Sequence, residues 1–521
     1  MNWRHSFHSV ITALGLAASA LFAANTQAAV RTPYQLDTAF NGSGIRIGLS
    51  ASEGGMYNTD GFGATRLAFD GDDTITVNKT NAWSVGTVSM IAVQRISKSG
   101  TLVEAWKFAI QSFEGAEWRI VAVRDVLVAS AQRRLFILVD AKKASSDPNE
   151  LVRSFLVEYR IGQSGFKVTR VGLGTGDVNS NHVGVRLAQK GDRLLVLQDN
   201  RLLPGQDFWF VADSVELHLT AFTIKPSTST HWSELDPSWG TNGRRSYHHE
   251  WLLLGDPGDP PVVMHSRVRA SQLEIAPTGY VFIAGDIKEA GADQQLFVLK
   301  LEGTNGDPAP NVYWPAPPRA ENQGWLTLGG STMEDEATGL VLRQLQGISY
   351  DIFLISNFQR ACGKGLIVYA LDQNGVPPSP SRTWTHGGGS TAGVAGLDCD
   401  SIHANEMTLI PGASSGAGAR LAIVGRYITQ GSAPSAAALL TLNPDNLQPS
   451  PGEQVQEILT DVEYQGDTSS YSFKAARYHT GQKRLLAVGT YVENYNGHTD
   501  DLTLIARMKE APLFSDGFEG D

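Results

Sequence analysis

The sequence predicts an all-β protein, a β-propeller of about seven blades of mostly antiparallel strands. Three observations predict it. Short apolar runs rich in Val, Ile and Leu recur between turn residues, and runs of that length read as strands buried on both faces. They arrive in similar units, each a first run, a short turn, a second run, a polar loop and a third run, as a repeat architecture requires. The 54 glycines are spread along the whole chain, which suits many tight turns better than long helices.

The clearest unit runs from Val268 to Ala276, turns at Pro277-Thr278-Gly279, and continues over Tyr280–Ala284, a loop at Asp286–Asp293, and Leu296–Leu301. Similar units start at Val123, Val183, Ala337, Ile402 and Phe473, and a weaker first copy starts at Leu67. Lys167–Val171 and Gln454–Leu459 are candidates for fourth, outer strands. A β-sandwich pair or a β-solenoid is the alternative, but a solenoid needs a shorter period than the roughly sixty to ninety residues here. The early run Ile45–Leu49 is expected to complete the last blade and so join the two ends of the chain.

The N-terminus reads as an address. Arg4 and His5 precede an apolar stretch from Val10 to Ala24, and Thr26-Gln27-Ala28 offers small residues for cleavage. Residues 1–28 are thus expected to be a secretory signal peptide, 29–510 the propeller, and 511–521 an acidic tail. The mature protein is expected to be secreted or periplasmic, with no membrane span. A net charge of −11 disfavours nucleic acid and anionic membrane surfaces, which select basic patches. In an oxidising compartment Cys362 and Cys399 are expected to pair as a disulfide, with two buried thiols as the alternative.

Two local motifs carry a family resemblance. Leu235-Asp236-Pro237-Ser238-Trp239-Gly240-Thr241-Asn242-Gly243 resembles the signature of the bacterial delta-60 repeat, and Leu36-Asp37-Thr38-Ala39-Phe40-Asn41-Gly42-Ser43-Gly44 is a second copy. In the second copy Asn41 stands where the family usually has Gly. The segment Ile275–Gly285 is similar to the same family's strand-turn-strand. The resemblance implies a propeller and no common activity. The tail Leu513–Asp521, with its Asp-Gly-Phe-Glu run, resembles the end of many exported bacterial proteins.

No catalytic constellation stands above turn composition. Gly412-Ala413-Ser414-Ser415-Gly416 has the letters of a nucleophile elbow but joins two strands in a Gly/Ala/Ser run. Asp70, Asp72 and Asp73 pack three carboxylates into one turn, the best metal candidate in the chain, for a weak calcium site. His248 and His249 are neighbours on a strand and point to opposite faces, so the run His248-His249-Glu250 is assigned to the surface or rim. Long second-to-third-strand loops should share one face, at 140–151, 198–213, 286–293, 357–363, 429–435 and 492–500, and rigid scaffolds concentrate binding groups on such loops. Phe208, Trp209, Arg360, Tyr491 and Tyr495 are the ligand-binding candidates on that face, and both cysteines fall there too. The expected function is a binding or structural module outside the cytoplasm, whose partner is an envelope or extracellular protein or a polysaccharide. The alternative is a hydrolase or lyase at the mouth of the channel. Three or more polar residues converging there from different blades would favour the enzyme; an apolar channel would favour the scaffold.

Overall fold

The computed structural model describes residues 34–47, 66–81, 89–110, 113–144, 150–172, 180–202, 216–226, 228–253, 262–289, 293–310, 322–329, 335–360, 363–377, 383–387, 401–412, 418–428, 436–449, 456–459, 469–495 and 498–510. The expected signal peptide, the acidic tail, both cysteines and most of the candidate elbow lie outside these residues.

Seven antiparallel sheets form the ring of a seven-bladed propeller. Their inner strands are Arg66–Asp70, Trp118–Ala129, Ser180–Lys190, Arg267–Ile275, Asp335–Gln344, Ser401–Ile410 and Ser469–His479, in blades 1 to 7. Each sheet meanders outward from its inner strand in sequence order. The second and third strands are apolar on both faces because each face meets another blade. Hydrophobic clusters accordingly fill every junction, and the one between blades 7 and 1 holds Phe40, Leu67, Ile96, Ala475, Val488 and Ile505. A fully buried Val, Leu or Ile at such a junction contributes about 1.5–3 kcal/mol.

The ring closes as expected. In blade 7 the third strand, His498–Glu510, takes Tyr34–Leu36 and Ile45–Ile47 as outer partners, with Ile45 opposite Ala506 and Ile47 opposite Leu504. Blade 3 repeats the device: Glu234–Leu235 and Arg244–Tyr247 both pair with Leu217–Thr223. The two Leu-Asp motifs are the turns that join these short outer strands, and they are built alike. The carboxylates of Asp37 and Asp236 take Arg484 Nε and Arg193 Nε, each at 2.7 Å. Phe40 and Trp239 are buried plugs. Asn41 has φ +52° and Gly240 φ +50°, so the asparagine adopts the left-handed conformation for which the other copy uses glycine.

Each inner strand of blades 2 to 7 carries a β-bulge at the same place, between Val123/Asp125, Gly184/Arg186, Ala270/Gln272, Ala337/Gly339, Ala404/Glu406 and Phe473/Ala475. A bulge bends the strand and re-aims its side chains. Opposite it, the second strand comes very close. A Cβ on Gly285 would lie 2.0 Å from the Arg269 carbonyl oxygen, and one on Gly425 2.0 Å from that of His403, which excludes any larger residue.

The second strands run further than the sequence suggests. Tyr350–Arg360 and Gly363–Asp372 stay paired to Arg360 opposite Gly363, and Arg484–Tyr495 and His498–Glu510 to Tyr495 opposite His498. Two expected long loops are therefore tight hairpins. Their neighbours also lose loop length, because Asp140, Asp199, Asp286 and Asn357 sit inside strands. Three of these four tie their blade to the next blade in the chain. Asp140 accepts the Gly184 N–H at 2.8 Å, Asp199 the Ala270 N–H at 2.8 Å, and Asn357 the Ala404 N–H at 2.9 Å. Each satisfies a backbone donor that the bulge frees from the ladder.

Candidate functional site

The inner strands all run the same way round the channel. Residues near their starts (Arg66, Arg269, Glu336, His403) line one cavity, of about 220 Å³. Residues further along (Leu67, Val126, Glu274, Val341, Met407) line a second, of about 500 Å³. Antiparallel meanders put the second-to-third-strand turns on the same face as the strand starts, so the smaller cavity is the mouth on the face expected to bind.

Between the cavities lies a waist of charge. Arg186 of blade 3 spans the channel to Glu406 of blade 6 (Nη2–Oε1 3.3 Å) and stands 3.7 Å from Asp125 of blade 2. Glu406 also accepts Arg477 Nη1 at 2.6 Å and the Ala476 N–H at 3.0 Å. Burial alone would raise the Glu406 carboxyl, but Arg477, Arg186 and Arg66 outweigh it and hold it below the usual range. Asp125 is held by the backbone N–H groups of Val126 and Leu187. Each of these charges faces an opposite one, so the waist is wall: buried charges that persist because they are paired. Glu274 is different. It is half-buried on the larger cavity, and burial, only partly offset by Arg477 and Arg186, pushes its carboxyl up to about 7.

The mouth gathers polar groups from six blades: Arg66, Arg124, Arg186, Arg269 with Asp286, Glu336, and His403 with Asn405. Arg124 is committed to Asp140 (2.5 Å), and Asn405 donates to the Phe473 carbonyl (2.6 Å). Arg269 and Asp286 face each other across the blade 4 ladder, yet neither has a hydrogen bond or ion pair with any described residue. Burial, with Asp199 and Glu336 adding repulsion and Arg269 only partly offsetting it, raises Asp286 to about 7. At neutral pH this carboxyl is therefore poised between its two forms.

The residues singled out from sequence fare differently. Phe208 and Trp209 lie outside the described residues, as do the side chains of Arg360 and Tyr495. Tyr491 packs against the core between blades 6 and 7, stacked on Tyr471 at 4.9 Å. The acidic turn is charge-paired: Asp70 and Asp73 face Arg95 at 3.2 and 2.7 Å, and Asp72 faces Lys98 at 3.7 Å. His248 and His249 do point to opposite faces. His249 is buried against Ser266, Asn322 and Trp325. The surface or rim assignment needs correction for His249, which is buried, while His248 and Glu250 share a face and His265 joins them from the paired strand. Arg269, Asp286 and His265 were missed in the sequence. The signal for the first two was their place one residue before a bulge and one after Gly285; for His265 it was cross-strand register, which needs the pairing.

Sequence comparison finds no matching protein family and no matching curated protein. By structure, the chain is similar to a Trypanosoma rangeli sialidase solved with sialic acid, at 11% identity and a TM-score of 0.38. That match covers 85% of this chain and 59% of the sialidase chain. It is also similar to an α-L-arabinofuranosidase from Fusarium graminearum solved with an iminosugar inhibitor, at 11% identity and a TM-score of 0.37, over 75% of this chain and 95% of that one. Neither likeness bears on the chemistry of this channel. Among the described residues no helix is long and apolar enough to cross a membrane.

Proposed function

We propose that this chain is an exported propeller, related to the delta-60 repeat proteins through its twin Leu-Asp turns, that binds an acidic glycan or a similar anion at the mouth of its channel. One observation carries the reading: four arginines from four blades line the mouth, and one of them, Arg269, is unpaired among the described residues. An unpaired guanidinium beside a small polar cavity is built for a carboxylate, which it can take bidentately. The two acids on the same wall do not cancel this field, because Asp286 is half neutralised near pH 7. The disulfide between Cys362 and Cys399 belongs to the same proposal of an oxidising compartment.

Calorimetric titration of the mature chain with uronate-containing and neutral oligosaccharides of equal length tests it. Only the acidic series should bind, more tightly at pH 6 than at pH 8, and Arg269→Ala should weaken binding about 10- to 100-fold, the worth of a charged hydrogen bond. Equal binding of the neutral series, or an unaffected variant, would refute it.

A hydrolase is the second reading, favoured by Asp286 beside Glu336. Two carboxyls on one wall, one of them raised by burial to about 7, are the kind of pair acid–base hydrolysis uses. Release of reducing ends from a bound polysaccharide, lost in Asp286→Asn with binding retained, would support it.

A further inference from the structure

Between blades 3 and 4 the chain makes a two-stranded hairpin, Glu250–Leu253 with Val262–His265, that belongs to neither blade sheet. It leads directly into the inner strand that carries Arg269, on the mouth face. His248, Glu250 and His265 converge at its base, with one ligand atom from each lying within 4.8 Å of the others.

We propose that these three residues form a zinc site, independent of the anion site in the mouth. His248 Nε2 lies 3.2 Å from Glu250 Oε1, and His265 Nε2 lies 4.0 Å from the same oxygen. Ligands about 2.0–2.1 Å from a tetrahedral ion sit about 3.3 Å apart, so the observed spacings bracket the edge of such a site. The two imidazoles lie in parallel, 4.6 Å between centroids and 3° between planes, so a modest ring rotation brings both lone pairs onto one ion.

His265 gives the second, independent observation. Its Nδ1 is buried with no hydrogen-bond partner, and its Nε2 is too far from Glu250 for a hydrogen bond. Nε2 is the nitrogen that faces Glu250, and it has no hydrogen bond with that carboxylate that would compete with a metal ion.

The scaffold behind the site is rigid. Asn322 accepts the Glu250 N–H at 2.8 Å and donates to the Glu250 carbonyl at 2.7 Å. It also reaches His249 Nε2 at 3.0 Å, and His249 Nδ1 pairs with Ser266 Oγ at 2.8 Å. The first and last strands of the hairpin are thereby fixed in register on either side of the three ligands, the support that metal ligands need.

The donor set chooses the ion. Two imidazoles and one carboxylate suit zinc and its first-row neighbours, whereas calcium needs six to eight oxygens. Three protein ligands leave a fourth position open to water or an incoming group.

The test uses untagged protein stripped with a chelator and titrated with Zn²⁺ against a competing zinc dye, with Co²⁺ as a spectroscopic substitute. One Zn²⁺ per chain is expected, with visible Co²⁺ absorption and no response to Ca²⁺ or Mg²⁺. His248→Ala, at an exposed ring, and Glu250→Gln should each weaken Zn²⁺ binding more than tenfold while the far-ultraviolet circular dichroism is unchanged. Failure of the wild-type chain to bind Zn²⁺ saturably would overturn the site, as would undiminished binding in both variants; the cluster would then be a screened His–Glu surface pair. Anion binding at the mouth, measured in the same variants, should be unaltered.

Discussion

Asp140 and Asp286 occupy the same register position in blades 2 and 4, and they are used in opposite ways. Asp140, opposite Ala122, is fully buried and holds Arg124 Nε at 2.5 Å, Ser154 Oγ at 2.8 Å and the Gly184 N–H at 2.8 Å. Asp286, opposite Arg269, is 7% exposed and holds nothing among the described residues. Every oxygen of the first stitches blade 2 to itself and to blade 3. The second is left aimed at the mouth, at the price of a carboxyl that burial drives towards neutrality. A repeat fold offers one position many times, so a copy that departs from the shared structural role marks where another role has been installed.

The largest expected effect breaks the stitched copy. Asp140→Ala removes a buried charge from Arg124 and strands the Gly184 N–H and the Ser154 hydroxyl, which should cost about 3–5 kcal/mol in denaturant unfolding. Asp286→Ala, at the same register, should cost under about 1 kcal/mol. Equal losses would erase the distinction between wall and mouth. Arg124→Ala comes next, at about 2–3 kcal/mol: its ion pair is broken, but Asp140 keeps two hydrogen-bond donors.

Much of this architecture was legible in the sequence. Strands buried on both faces write themselves as near-continuous Val/Ile/Leu runs, which located the second and third strands of the blades. The early run Ile45–Leu49 announced the closing strand, and Asn41 was visible as a stand-in for Gly240. The strand ends were misread as loops. Asp140, Asp199 and Asn357 look like loop residues because polar side chains on a strand usually face solvent. Here bulged backbone supplies donors that make them interior. The channel site was hidden for a related reason: it is assembled from single residues of six blades, spaced by whole repeats. No local spacing distinguishes Arg269 from Arg267, its exposed neighbour two places earlier.

A smaller effect sharpens the comparison through pH. The Asp286 carboxyl rises from an ordinary 3.8 to about 7 in the folded chain, so between those values the folded state binds more protons than the unfolded one. Stability from this group is then full below about pH 4 and is lost as pH climbs through 7. Asp286→Asn should remove that loss. Relative to wild type it should be about 1–2 kcal/mol more stable at pH 8 and no different at pH 4. A flat difference across the range would mean that the carboxyl is hydrated and unshifted.

The smallest effect on stability is expected from Arg269→Ala, and it bears most directly on function. Arg269 lowers the Asp286 pKa, so its loss should move the step in the stability profile above pH 7. Folding at pH 7 should nonetheless change by less than about 0.5 kcal/mol, because a carboxyl already poised near 7 responds to a lost cation by taking a proton, not by remaining buried and charged. Arg124 differs: burial raises the Asp140 carboxyl as well, but its oxygens already accept the Gly184 N–H and the Ser154 hydroxyl, so losing Arg124 breaks a built network and not an open contact. One arginine is thus read out by unfolding and the other by ligand affinity. A variant at Arg269 that unfolds the chain as Arg124→Ala does would place it in the wall, and the mouth would lose its one unpaired cation among the described residues.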